Sequence, residues 1–212
     1  MVAPSSLSWC ATSSPIPEVE PVTTHTLSCS PSSMRGYVSE VATIVLVRHG
    51  ESTWNREGRW QGHADPPLSD DGRAQAEQLA ESLARGTFDA IYSSDLRRAA
   101  ETAEILGRRL GLPVVGDPAL READVGSWSG LTWDEIAVRF PGAERHDGES
   151  AEALSERVLG ATRRIAARHP QGSVLIVTHG GPIRAIERAA TGESARVMAN
   201  CETFQLTSEQ LD

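Results

Sequence analysis

The sequence predicts an α/β fold: a three-layer αβα sandwich whose central sheet is mostly parallel, with helices on both faces. Three observations carry that prediction. From residue 41 onward, short branched apolar runs alternate with longer amphipathic stretches, the pattern of strands feeding helices. Two of the runs, Ile44-Val45-Leu46-Val47 and Val174-Leu175-Ile176-Val177, are apolar throughout, as strands buried on both faces of a parallel sheet are. Both stop at a His-Gly pair, His49-Gly50 and His179-Gly180, after one intervening polar residue. Ligands of open α/β sheets bind beyond the carboxyl ends of the strands, so the two histidines are placed to face one another across a single site.

Each element has its own local reason. Residues 42–47 form the first strand. Ser69 is an N-cap for a helix that carries Ala76, Leu79, Ala80 and Leu83 on one face and stops at Gly86. Residues 88–92 read as the second strand, ending at Ser93-Ser94. A helix over residues 96–110 is closed by Gly111 and Pro113, and Val114-Val115 supply a short strand. Residues 133–140 make a short helix before Pro141-Gly142. Ser150 caps a long helix that reaches His169 and is stopped by Pro170. Residues 173–177 are the next strand, Pro182 sits in the first turn of the helix after it, and residues 203–206 make the last strand. Apart from the two His-Gly segments there is no internal repeat.

Residues 1–40 are read as a disordered N-terminal extension and residues 41–212 as one domain. The first 33 residues are rich in Ser, Pro and Thr, with Glu18 and Glu20 their only charges, a composition that cannot build a packed core. They hold neither the basic nor the long apolar segment of a secretory signal. The competing reading is a true start at Met34, with the tail a gene-start error or cloning extension; intact mass of the natively expressed protein separates the two. The remaining stretch, about 170 residues, is long enough to bury a core without staples.

Composition narrows the function. The formal net charge of -9 argues against a general nucleic-acid binder, which needs a basic face. No apolar run approaches the roughly 18 residues needed to cross a membrane. Cys10, Cys29 and Cys201 form no CxxC pair and are odd in number, so neither a disulfide framework nor a zinc site is expected, and a reducing cytoplasm is the expected location. All 20 basic residues are Arg. Coding bias is a sufficient account of that, although Arg is also the better bidentate phosphate ligand.

The chemistry begins at Arg48-His49-Gly50-Glu51. The tripeptide alone is weak evidence, since Arg48 reads equally as a surface charge and His49 as a polar strand end; its place after a buried strand strengthens it. The block from Ser93 through Asp95-Leu96-Arg97-Arg98 to Ala103 is a strand-to-helix junction with two arginines in the first helical turn. A helix N-terminus favours anions and disfavours basic side chains, so this placement fits a bound anion. Plain exposure accounts well for Arg97 and poorly for Arg98.

With those residues in place, the chain resembles the histidine phosphatase superfamily, the phosphoglycerate-mutase-like group. Four separated motifs agree in order over nearly all of residues 41–206: Leu46-Val47-Arg48-His49-Gly50-Glu51-Ser52 with Trp54-Asn55; the block from Ser93 to Ala103; Leu120-Arg121-Glu122 with Gly126-Ser127-Trp128-Ser129-Gly130; and Val177-Thr178-His179-Gly180. The stretch Arg59-Trp60-Gln61-Gly62 and Asp65-Pro66-Pro67-Leu68-Ser69 matches the family's first loop as well. The resemblance implies that His49 is the nucleophile of a phosphohistidine intermediate and that Arg48, Arg98 and His179 hold the phosphoryl oxygens. It implies that Glu122 protonates the leaving alkoxide and then takes a proton from water. Asn55, Gln61 and Gly180 are implied as further phosphate contacts, with no metal and no cofactor.

Elementary chemistry agrees. A neutral imidazole is a competent nucleophile near neutral pH, phosphoryl transfer needs mainly positioning and positive charge, and an alkoxide leaving group needs an acid. Glu122 must be protonated at the first step, which a dianionic substrate favours by like-charge repulsion. Among the remaining candidates, His25 lies in the tail, His146 and His169 are expected on the surface, and His63 is read as a loop residue. Gly148-Glu149-Ser150 matches a family motif and is read as cap and scaffold. Trp54, Trp60, Trp128 and Trp133 either line a pocket for the organic group or pack the loops.

The expected function is therefore a metal-independent phosphomonoester hydrolase acting on a small phosphorylated metabolite. A 2,3-bisphosphoglycerate-dependent-type phosphoglycerate mutase is the first alternative. It is disfavoured by the short stretch between residues 133 and 150, by the chain's end soon after residue 206, and by the wording of the Gly126–Gly130 segment. A metal-dependent hydrolase built on His49, His179 and a carboxylate is disfavoured by the adjacent arginine. A non-catalytic phosphate-binding module is disfavoured because every catalytic position is filled. A homodimer is the expected assembly, dimers being the commonest.

Overall fold

The structure is a computed structural model and describes residues 41–143, 145, 147–193 and 196–211. The expected N-terminal extension, His25 and His146 lie outside them. Five strands form one sheet: β1 (Thr43–Arg48), β2 (Ala90–Ser93), β3 (Val114–Gly116), β4 (Ser173–Thr178) and β5 (Thr203–Thr207). Their order is β3-β2-β4-β1-β5. The first four are parallel and β5 runs antiparallel to β1 at one edge. The helices are α1 (Thr53–Arg56), α2 (Asp70–Leu83), α3 (Arg97–Leu110), α4 (Trp133–Arg139), α5 (Ala151–Arg168) and α6 (Gly180–Thr191). The mostly parallel αβα sandwich expected from the sequence is the fold observed.

The four middle residues of β1 and of β4 are all apolar because each face of the sheet meets a different helix pair. Ile44, Leu46, Val174 and Ile176 pack with Val158, Ile165, Ile183 and Ile186 of α5 and α6. Their neighbours Val45, Val47, Leu175 and Val177 point the other way, onto Ala76 and Ala80 of α2 and Ala103 and Leu106 of α3. Alternation along the strand thus divides one run between two cores.

The helix boundaries follow their caps. Ser69 Oγ accepts from the Gly72 N–H at 2.9 Å and Ser150 Oγ from the Ala153 N–H at 3.1 Å. Gly111 closes α3 with φ 70°, the left-handed conformation that glycine adopts freely. Several expectations need correction, among them β2, which starts at Ala90 and not at residue 88, and β4, which runs on to Thr178. Helix α2 ends at Leu83, ahead of Gly86, which closes a tight turn by donating to the Leu83 carbonyl at 2.9 Å. Strand β1 continues to Arg48, because register with β4 pairs Arg48 with Thr178 and carries the ladder past the apolar run. His169 is half-buried, its Nε2 3.0 Å from the Tyr92 hydroxyl. Helix α1 is too short for any periodicity to reveal; it is held by a capping box in which Ser52 Oγ accepts from the Asn55 N–H and Asn55 Oδ1 from the Ser52 N–H. Among the described residues no helix is long and apolar enough to cross a membrane.

Candidate active site

Strands β1 and β4 are neighbours, and their register sets Arg48 opposite Thr178. The next residue of each strand therefore lies beside its counterpart. The rings of His49 and His179 are 5.0 Å apart, with planes inclined at 61°. Both are buried, at 3% and 0% exposure. Burial first, and the Arg98 charge second, hold both imidazoles neutral well below the ordinary histidine range.

His49 is fixed from three sides. Its Nδ1 lies 2.7 Å from the Gly50 carbonyl oxygen. A carbonyl can only accept, so Nδ1 carries the proton and the neutral ring keeps its lone pair on Nε2. Its own carbonyl accepts from Asn200 Nδ2 at 2.9 Å, and the Gly50 N–H donates to Thr102 Oγ1 at 3.1 Å. His179 is held differently: its Nε2 meets Ser94 Oγ at 2.8 Å, and its Nδ1 is buried without a hydrogen-bond partner.

Arg98 enters from the first turn of α3 and is 1% exposed. Its terminal nitrogens donate to the carbonyls of Ala64 (2.8 Å) and Gly62 (2.9 Å), while its Nε is buried with no partner. Burial pushes this guanidinium down to about 10, against the pull of Glu122 and Asp65. Arg97, one residue earlier, is exposed and pairs with Glu101 at 2.7 Å. Arg48 donates to the Met198 carbonyl and also buries an unpartnered Nε, and its basicity is lowered chiefly by burial. Neither Arg48 nor Arg98 makes an ion pair among the described residues. A buried cation with an unsatisfied N–H is costly, and an oxyanion supplies both the charge and the acceptor that each lacks.

Glu122 lies half-buried on the same pocket. Its carboxylate accepts from the N–H groups of Ala123 (2.9 Å) and Gly181 (3.2 Å), the second in the first turn of α6. A Cβ on Gly181 would stand 2.1 Å from Glu122 Oε1, so a larger residue there would push the carboxylate from this position. The loop carrying Glu122 is clamped by Arg157 of α5. That guanidinium donates to the carbonyls of Ala119, Arg121 and Glu122 and forms a bidentate pair with Glu149 at 2.8 and 2.6 Å. His63 adds a contact to the Glu122 carbonyl at 2.9 Å and is otherwise exposed. The Gly148-Glu149-Ser150 segment is thus both a helix cap and the counter-ion of this clamp.

The pocket measures about 330 Å³ and its wall includes Arg48, His49, Asn55, Gln61, Arg98 and Glu122. Ser52 organises the two amides: its N–H and hydroxyl face Asn55 Oδ1, and its hydroxyl lies 2.8 Å from Gln61 Oε1. That leaves the Asn55 NH₂ as a donor. His179 and Gly180 are not on the open wall; the His179 ring packs on His49 behind it, with its unpartnered Nδ1 as the polar atom it has to offer. Among the tryptophans, Trp60 lines the pocket, while Trp128 and Trp133 pack on it at 5.3 and 6.3 Å. No group of three His, Cys, Asp or Glu side chains among the described residues is arranged to hold a metal.

Sequence reasoning missed Ser52, Ser94, Arg157 and Asn200, which hold the predicted residues, and Arg145 and Arg184, which line the pocket. Ser52 and Ser94 lay inside quoted motifs without a role, and Arg184 stands three residues after Gly181, hence on one helix face with it. Arg145, Arg157 and Asn200 carry no local signal.

The model of the histidine phosphatase superfamily (branch 1) matches residues 44–209. The chain belongs to the histidine phosphatase superfamily. It is 40% identical over 172 residues to phosphoglycerate mutase-like protein 4 of Arabidopsis thaliana, covering 74% of this chain and 75% of that one. It is 42% identical over 171 residues to a metal-independent phosphoserine phosphatase of the same plant, covering 74% and 72%. Among solved structures, a mycobacterial glucosyl-3-phosphoglycerate phosphatase in complex with VO3 superposes with a TM-score of 0.73 at 35% identity, covering 77% of this chain and 90% of that one.

Proposed function

We propose that this protein is a metal-independent phosphomonoester hydrolase that works through a phosphohistidine on His49 and acts on a small phosphorylated metabolite. One observation carries the reading: a buried imidazole whose Nδ1–H is committed to the Gly50 carbonyl, so that its lone pair is on Nε2, beside buried Arg98 and half-buried Arg48, each with a buried, unpartnered Nε. In the first step Nε2 attacks phosphorus and the bond to the ester oxygen breaks. The leaving oxygen takes its proton from Glu122. In the second step a water gives a proton to the Glu122 carboxylate and attacks the phosphohistidine, releasing inorganic phosphate and the free imidazole. Arg48, Arg98 and His179 hold the non-bridging oxygens throughout, with Asn55, Gln61 and the Gly180 N–H as further contacts. The arginines supply the charge that phosphoryl transfer needs and make the same pocket hostile to a dication.

The phosphatase names among the relatives support hydrolysis. The mutase-like name of another relative keeps isomerisation as the second reading. Turnover of an aryl phosphate between about pH 5 and 8, with chelator present, tests both. Chelator-resistant phosphate release that His49→Ala abolishes supports the proposal. Phosphoryl exchange between positions of one substrate without release supports the isomerase, and loss of turnover on chelation overturns the mechanism. An aryl leaving group needs little acid, so Glu122→Gln suffers less than His49→Ala in this assay.

A cytoplasmic location, a homodimer and the absence of a nucleic-acid partner belong to the same proposal. Burial pushes the Cys201 thiol up to about 12, which suits an inert cysteine in a reducing compartment. Sedimentation of the purified chain decides the assembly.

A further inference from the structure

Two cations on the pocket wall have no part in that mechanism. Arg184 lies on α6, one turn after Gly181, and is exposed to solvent. A Cβ built on Gly180 would stand 3.8 Å from Arg48 Nε and 4.0 Å from Arg184 Nη1, which brings the two guanidinium groups close together. Among the described residues Arg184 has neither an ion pair nor a side-chain hydrogen bond. Arg145 faces the same pocket with its terminal nitrogens on the carbonyls of Asp124 (3.1 Å) and Glu149 (2.5 Å), and it too has no carboxylate partner among the described residues. Arg59, by contrast, is paired with Glu57 and Glu135.

The charges on this wall do not balance for a simple phosphate ester. Arg48 and Arg98 match a phosphoryl dianion, and Glu122 is neutral when the first step begins. Arg184 and Arg145 remain, two positive charges on the wall of the same pocket that the phosphoryl group does not need. Like charges lining one pocket favour a ligand that carries a further counter-charge. Arg145 has both terminal nitrogens engaged and offers mainly charge. Arg184 offers one free planar fork, the geometry that a single carboxylate fills with two hydrogen bonds. The pocket of about 330 Å³ is at the small end of ligand sites, so the carboxylate has to sit within a few bonds of the ester oxygen.

We propose that Arg184, assisted by Arg145, binds a carboxylate on the leaving group, so that the substrates of this enzyme are small phosphorylated carboxylic acids. This rests on the hydrolase reading and narrows it.

Steady-state kinetics on matched pairs tests it: 3-phosphoglycerate against glycerol 3-phosphate, and O-phosphoserine against O-phosphoethanolamine, with an aryl phosphate run beside them. Within each pair only the carboxylate changes. The wild type is expected to favour the carboxylated member by about tenfold or more in kcat/KM, chiefly through KM, the size of a charge-assisted hydrogen bond at an open site. Arg184→Gln is expected to bring that ratio towards one, and Arg184→Lys to keep part of it. Equal kcat/KM within both pairs, with the aryl phosphate turned over, overturns the carboxylate site and leaves the hydrolase reading standing. A full carboxylate preference retained in Arg184→Gln overturns the assignment to Arg184. No turnover of any of the five compounds overturns the hydrolase reading and this inference with it. Should Arg184→Gln not fold, the wild-type ratios together with Arg145→Gln, expected to lower them, decide the matter.

Discussion

Strands β1 and β4 deliver the same dipeptide to the same edge of the sheet, and the chain treats the two copies differently. After His49-Gly50 it turns through Glu51 and Ser52 into a one-turn helix; after His179 it enters α6 at once. His49 spends its Nδ1–H on its neighbour's carbonyl and keeps Nε2 free on the pocket. His179 ties Nε2 to Ser94 and lies off the open wall. The glycines differ as well. A Cβ on Gly50 would stand 2.5 Å from the Gly72 carbonyl oxygen, whereas one on Gly180 meets nothing closer than 3.8 Å. Equal sequence at the ends of paired strands thus yields a candidate nucleophile in one case and a supporting group in the other. The difference is made by what each ring's two nitrogens meet.

The comparison breaks most sharply at the histidines themselves. His49→Ala is expected to lower kcat by at least ~10⁴-fold and to remove phosphoenzyme labelling. His179→Ala is expected to cost about 10²–10³-fold, the loss of one donor to the transition state, with label still trapped on His49. Equal losses, or label surviving in His49→Ala, would reverse the roles.

The arginines at the start of α3 provide the next contrast. Arg98→Met is expected to cost about 10²–10³-fold in kcat/KM, and Arg97→Met to stay within about threefold, as removal of an exposed ion pair does. Inorganic phosphate should raise the Tm of the wild type and of Arg97→Met, and leave Arg98→Met unmoved, because ligand binding stabilises only a protein that still binds.

A smaller effect separates the glycines. Gly50→Ala must displace backbone and is expected to destabilise by about 1–3 kcal/mol in denaturant unfolding. Gly180→Ala keeps its N–H and finds room, so its stability should change by less than about 0.5 kcal/mol. Similar losses in both would mean that the two turns are constrained alike.

The gentlest test is pH. Both imidazoles have folded-state pKa values below the unfolded value of about 6.5. The unfolded chain therefore binds more protons than the folded one as pH falls below that point, so the stability that these groups contribute is present above it and is lost on acidification. His49→Ala should flatten that decline between about pH 6.5 and 5 more than replacement of exposed His63; an identical profile would deny the burial argument.

Much of this was legible in the residues. Unbroken apolar runs announced buried parallel strands, serine caps and glycine stops marked helices to within a few residues, and the position of the Ser93 to Ala103 block at a helix start set Arg98 apart from Arg97. Helix α1 was not legible, because one turn has no period to detect. Arg157 was not legible either, since a single arginine in an amphipathic helix reads as solvated until α5 is laid against the loop of Glu122.

What the sequence determined by itself was the set of groups and the sheet edge on which they would gather, because strand character and strand ends are local properties of the chain. Only the tertiary structure decided which histidine keeps a free Nε2, which arginines stay unpaired, and which further cations line the pocket. Those outcomes depend on hydrogen bonds between residues up to 151 positions apart, such as Asn200 to His49, and on a strand order that no segment encodes alone.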